Sequence, residues 1–378
     1  MSTGDPLFVR LGVRYIRARH SRLPPKQDSD GVHVLNASER AEIRRIARSA
    51  IARAALAGAV STAVSGAVEV AALPLLGSGH TIGYWFLLLL GLALASIVEI
   101  LFLYWDALRS VHELSRAAGL PLFSETDERE RLAATMARAA LEMPNPRLTL
   151  EGIDPWKETS RTRLVVASLV YKAKISATNF VFKALVRRAI TRAALRSYLV
   201  PFVSVPFTAM WNGVVTYLIM REAKLRVMGP SAAKALVQMT FGDHAELPPR
   251  AAEAILRAVG ASIVKKEDLH PNLAALFGEV RARVPHTTPS DSLDDPGAFI
   301  SRITDIPRDE SAMVLRVLAI ASVLDGSVSK KERALLEEAF RATGRTFNAE
   351  KLEALRVAFT SGDELLPAIM ADVVGDAT

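Results

Sequence analysis

Residues 82–105 read IGYWFLLLLGLALASIVEILFLYW, a run whose one formal charge is Glu99. As a helix it is about 36 Å long, enough to cross a hydrocarbon layer of about 30 Å. Tyr84 and Trp85 sit near one end and Tyr104 and Trp105 at the other, as interfacial aromatic belts do. A run this long and apolar leaves two outcomes, a transmembrane helix or the core helix of a large soluble domain. Length and flanking aromatics favour the membrane.

The preceding run, 54–76, reads AALAGAVSTAVSGAVEVAALPLL and is richer in small residues. Gly58, Thr62 and Gly66 recur every four positions, the spacing of helices that pack closely on a partner. Only GSGHT separates the two runs, so they are expected to form a tight transmembrane hairpin. Arg40, Arg44, Arg45, Arg48 and Arg53 precede it, Arg109 and Arg116 follow it, and the turn carries no formal charge. The positive-inside rule then places both termini in the cytoplasm and GSGHT outside. Asn36, with Glu39 three residues on, is expected to cap the basic helix that leads in.

Glu69 and Glu99 are the carboxylates of the two runs. Counted from the turn they lie about 12 and 25 Å deep, on separate levels. Each shares a stripe with small residues: Ser61 and Ser65 with Glu69, Gly91 and Ala95 with Glu99. Both are therefore expected to face protein. A buried intramembrane carboxylate costs at least about 2.5–3.5 kcal/mol, so it either serves transport or fixes packing as a hydrogen-bonded group.

The chain has 378 residues, a net charge of +7 and no cysteine. Disulfides, thiolate metal sites and cysteine nucleophiles are thereby excluded. The basic residues crowd beside the apolar runs, which favours anionic lipid head groups as partner over nucleic acid. Residues 1–35 read as a basic, poorly ordered tail without a signal peptide, and 36–120 as the hairpin with its flanks. Residues 121–229 read as a helical, membrane-associated region. Within it Arg188, Arg192 and Arg196, spaced by four, form the basic side of an amphipathic helix suited to a lipid surface. Residues 198–220 are uncharged but contain Pro201 and Pro206, and Ser204, Thr208, Asn212 and Thr216 form a polar stripe. Basic flanks on both sides leave two arrangements, a further span paired with 164–186 or a segment that dips in and returns. The stretch VPFVSVPFTAMWNGVV, with Pro201, Pro206 and Asn212, resembles EcsC-like bacterial proteins, which implies membrane association.

From 230 to the end the chain reads as a cytoplasmic helical domain, with Pro249 and Pro271 at helix starts and Gly260 and Gly344 at helix stops. From about 294, SAMVLRVLAIASVLDGSVSKKERALLEEAFRATG resembles TerB-like domains of the tellurite-resistance type. Asp325, Gly326 and Glu332 occupy that family's Asp-Gly turn and following glutamate, with Leu324 where alanine is common. The resemblance implies a helical fold and a divalent cation at the acidic pair in some members. The same residues also read as plain structure, an Asp-Gly turn followed by the capping box of Ser329 and Glu332. Ala321 and Val323, at the preceding ligand positions, exclude a complete EF-hand.

No phosphate-binding glycine loop, zinc-protease motif or nucleophile elbow occurs, and the seven histidines lack ligand spacing. No enzyme and no catalytic or cofactor-binding residue is expected. The chain is expected to be all-α: an integral membrane hairpin, membrane-apposed helices and a C-terminal TerB-like helical domain. Its function is expected to be that of a bacterial inner-membrane adaptor or stress sensor that recruits protein partners through that domain. The alternative is a transporter or pore in which self-associated hairpins line a path with Glu69 and Glu99.

Overall fold

The computed structural model describes residues 6–22, 32–120, 122, 127–145, 149–159, 202, 204–242, 248–284 and 293–365. Among the described residues the chain is helical throughout, with one isolated bridge between Leu150 and Ile153 and no strand. The described residues form eleven helices in order. They are α1 (Leu7–His20), α2 (Ala37–Gly77), α3 (Thr81–Ala117), α4 (Asp127–Ala140), α5 (Val205–Phe241) and α6 (Pro249–Lys266). The remainder are α7 (Pro271–Arg283), α8 (Pro296–Thr304), α9 (Arg308–Val323), α10 (Lys330–Ala342) and α11 (Ala349–Ser361).

The expected tail is in part a helix. In α1, Val9, Gly12, Val13 and Ile16 recur at helical spacing and are buried against α3 and α4. A Cβ on Gly12 would come within 3.2 Å of both Ala137 and Leu108, so the absent side chain lets α1 lie close to its neighbours. The arginines between these positions point outward, and Arg19 donates to Glu113 of α3 at 2.7 Å.

α2 starts at the expected cap: Asn36 accepts from the Glu39 amide while Glu39 accepts from the Asn36 amide. It then runs 41 residues without a break through the basic and small-residue stretches. α3 returns beside it after a three-residue link. Ser61 donates to the Ala95 carbonyl at 3.3 Å, and a Cβ on Gly91 would meet Val68 at 2.6 Å. Gly58, Ser61, Thr62, Ser65 and Gly66 are all buried, so the small-residue face of α2 is its packing face.

α5 packs along α2 and α3 and then continues, unbroken across Pro230, into the C-terminal helices. The domain boundary expected at 230 therefore falls inside a 37-residue helix. Pro206 lies in its first turn, where a missing N–H costs nothing. At Gly229–Pro230 the Asn272 side chain occupies the space a Cβ would fill. Its amide donates to the Leu225 carbonyl at 3.0 Å and the Leu324 carbonyl at 2.6 Å, tying α5, α7 and the end of α9.

α6 is the centre of the C-terminal layer, packed on by α7, α8, α9 and α10. Gly260 lies within this helix rather than ending it. A Cβ there would stand 2.3 Å from the Leu293 carbonyl, so glycine permits the loop to cross. Gly344 has φ +67 just past α10, as a helix stop requires, and Pro249 and Pro271 lie in first turns. One hydrophobic core runs from Val9 on α1 through α5 and α6 to Phe359 on α11.

Candidate functional site

Apart from Leu7, Phe8, Leu11, Val34 and Val357, every exposed large hydrophobic among the described residues lies on α2, α3 or α5. Among the described residues two helices, α2 and α3, are long and apolar enough to cross a membrane. Only 11% of the most apolar stretch of α3 is buried, and 28% of that of α2. The core helix of a soluble domain is mostly buried, whereas these two are mostly exposed.

The three apolar surfaces end together. Asn212 of α5 faces Gly58 of α2 and Glu99 of α3, which sets a common level. Leu56, Trp105 and Leu218 are the last exposed large hydrophobics of the three helices on the basic side, within six residues, or about 9 Å, of that level. Beyond them come Arg53 and Asp106, paired at 2.8 Å, then Arg109 and Arg221. Arg109 lies over the Trp105 ring. In the other direction α3 stays apolar to Ile82, so its exposed face is about 35 Å tall. α5 begins at Val205 and covers only the lower half of it.

Glu99 is 3% exposed, and Asn212 donates to its carboxylate at 2.8 Å. Gly58 makes this junction: a Cβ there would lie 2.6 Å from the Asn212 amide nitrogen and 3.0 Å from the Thr208 carbonyl. Thr208, Asn212 and Thr216 are buried, so the polar stripe of α5 faces the α2–α3 pair. Glu69 is half-buried and well above this junction, since Val68 packs at Gly91. The structure thus joins Glu99 with Asn212 and leaves Glu69 apart.

Below the apolar surface the stem is bound to the C-terminal helices. Arg40 pairs with Asp363, the Leu35 amide donates to Gly362, and Lys224 donates to the carbonyls of Thr360 and Ser361. Nearby, Glu222 accepts from Arg226 at 2.7 Å and from His270 Nε2 at 3.0 Å. Nδ1 of His270 accepts from the Asn272 amide, which sets the Nε2–H tautomer. Burial pushes the Glu222 carboxyl up, but His270 and Arg226 outweigh it and bring it down to about 2. These groups line a cleft of about 560 Å³ that also contains Asp268, Asn145 and Asp325.

At the end of α9, Ser329 and Glu332 form both bonds of a capping box. Asp325 accepts from the Ser327 amide at 2.9 Å, as an Asp-Gly turn does. Lys266 of α6 places its ammonium on both Asp325 and Glu332, and bonds the Ser327 carbonyl at 2.8 Å. A protein cation thus sits where the resemblance implies a metal cation. Burial raises the Glu332 pKa, against the Lys266 charge. Among the described residues no three His, Asp or Glu side chains converge as a ligand set.

Arg188, Arg192 and Arg196, the segment 164–186 and residues 198–201 lie outside the described residues. Sequence reasoning missed Lys266, which is 59 residues from Asp325 and carries no local pattern. It noticed Asn212 as polar, but the pairing with Glu99 spans 113 residues and has no signal in either segment. No family model, no curated protein and no solved structure matches this chain.

Proposed function

We propose that the chain is a membrane-anchored adaptor that holds a rigid helical body against the cytoplasmic face of a bacterial inner membrane. In this reading α2 and α3 cross as a hairpin, α5 enters the inner half of the bilayer, and α6–α11 present the partner-binding surface with its TerB-like resemblance. The observation that carries it is the common level at which three separate helices change from exposed apolar to charged residues. A lipid boundary demands such a plane, whereas an exposed soluble surface has no reason for one. The enclosure of Glu99 by Asn212 and the small residues of α2 favours a packing role over a transport path.

The chain has no cysteine, so single labels test the topology directly. Ser78→Cys is expected to react with an impermeant maleimide from outside intact cells, and Lys351→Cys only after permeabilisation. Reaction of Ser78→Cys only after permeabilisation would overturn the anchor.

A further inference from the structure

α2 carries a concavity of about 490 Å³ below the apolar surface, lined by Arg44, Arg45, Arg48 and Ser49. Other arginines of α2 are engaged: Arg40 with Asp363 and Arg53 with Asp106. These three differ. Among the described residues Arg44 and Arg48 meet no carboxylate, and Arg45 reaches only Glu42, at 4.0 Å. Burial and the charges of Arg40 and Arg44 lower the Lys224 pKa against the pull of Asp363, which reports the same positive field. Like charges held together without partners oppose folding, so an anion that joins them is stabilised in turn.

Their place on the helix says what kind of anion. Arg45, Ser49, Ala52, Leu56 and Val60 follow one another at three- and four-residue spacing and share one face of α2. Leu56 and Val60 are exposed, in the apolar surface. Ser49 lies about 6 Å beyond Arg53, and Arg45 about 12 Å. The interfacial layer on each side of the hydrocarbon is roughly 5–8 Å deep, so Arg48 and Ser49 fall within it and Arg44 and Arg45 several ångströms past its outer edge. There a long guanidinium side chain meets the head group from the aqueous side. A lipid whose chains lie along Leu56 and Val60 would bring its head group into the concavity.

We propose that Arg44, Arg45, Arg48 and Ser49 form a site for an anionic phospholipid carrying two phosphates. Three guanidinium groups offer more than enough positive charge, and planar paired donors, for two phosphodiesters, and basic pockets on the cytoplasmic side of membrane helices suit such head groups. The site rests on the membrane-anchor reading.

The test uses the full chain in phosphatidylcholine nanodiscs, with cardiolipin, phosphatidylglycerol or no anionic lipid added. Lipid retained is read by native mass spectrometry and the melting midpoint alongside it. Cardiolipin is expected to be retained more than phosphatidylglycerol and to raise the midpoint by mass action. The triple variant Arg44→Gln, Arg45→Gln, Arg48→Gln is expected to retain at least tenfold less, with unchanged circular dichroism because all three side chains are exposed. Lys330→Gln, Arg333→Gln, Lys351→Gln removes the same charge elsewhere and is expected to bind as wild type does. Wild-type retention by the first triple variant, or equal loss in the second, would overturn the site. An equal midpoint rise with soluble pyrophosphate alone would overturn the lipid as ligand. A chain that does not enter nanodiscs at all would instead sink the anchor reading.

Discussion

His112 is wholly buried on α3, and among the described residues neither ring nitrogen has a hydrogen-bond partner. Burial, then the charges of Arg19, His20 and Arg116, lower its pKa from 6.5 to about 4, against Glu113. Glu42 and Arg45 of α2 line the same small cavity. Because the folded-state value is below the unfolded one, the unfolded chain binds more protons between pH 6.5 and 4. Stability from this residue is thus lost as pH falls through that window, by about 3 kcal/mol in all. His112→Leu is expected to remove this limb, so that its denaturation midpoint at pH 4.5 exceeds that of wild type. Parallel pH profiles for the two proteins would refute it. Glu99 makes the opposite case, a buried polar group that is satisfied. Glu99→Gln keeps size and hydrogen-bonding capacity and is expected to change stability by less than about 1 kcal/mol. Asn212→Leu removes a buried hydrogen-bond donor from the carboxyl and is expected to cost about 1–3 kcal/mol. A double-mutant cycle in detergent checks the pair, and additive losses would show that the 2.8 Å bond carries no coupling.

α5 decides where the molecule can be cut. Its residues Met220, Ala223, Val227 and Met228 are buried in the core that also holds α6 and α9. A fragment that begins at 230 removes these side chains and also Leu225, whose carbonyl Asn272 uses. The fragment 230–378 is expected to lack cooperative unfolding, whereas 205–378 keeps the whole of α5. Heat denaturation followed by circular dichroism distinguishes them, and a sharp transition in the shorter piece would sink the claim. Sequence reading drew a boundary at 230 because hydropathy falls there, and hydropathy reports solvent, not the end of a helix. The apolar run of α3, the small face of α2 and the caps at Asn36 and Ser329 were readable because each is a local pattern. α1 was missed because its four buried positions are interleaved with arginines that lower the average. Gly260 misled for a different reason: a helical glycine that admits the Leu293 carbonyl looks like a stop until the crossing loop is placed. Of the polar junction, Glu99 and Asn212 stood out one at a time, but nothing local to either says which level of one meets the other.

Across the whole molecule the same helices serve both solvents. α2 and α3 carry the apolar surface at one end, and at the other bury Ile43, Ile46, Ala50, Ala107 and Val111 in the core shared with the C-terminal helices. Arg40, Lys224 and Leu35 add polar ties to the end of α11. An anchor joined by a flexible linker would let its cargo unfold alone, with separate midpoints for stem and body. Here no such linker separates the described parts, and a shared core predicts one cooperative loss. Ala107→Cys in α3 and Ala321→Cys in α9, at 6% and 1% exposure, report the two ends in a chain with no other thiol. Pulsed thiol labelling in detergent across a urea series is expected to expose both with the same midpoint. The small apolar cluster of Ala72, Tyr84 and Leu88 near the turn is separate from the main core. A label at Ala72→Cys is therefore expected to react at lower urea than either. Midpoints for Ala107→Cys and Ala321→Cys that differ beyond error would show that body and stem are independent, and that the C-terminal helices ride on a hinge and not on a shaft.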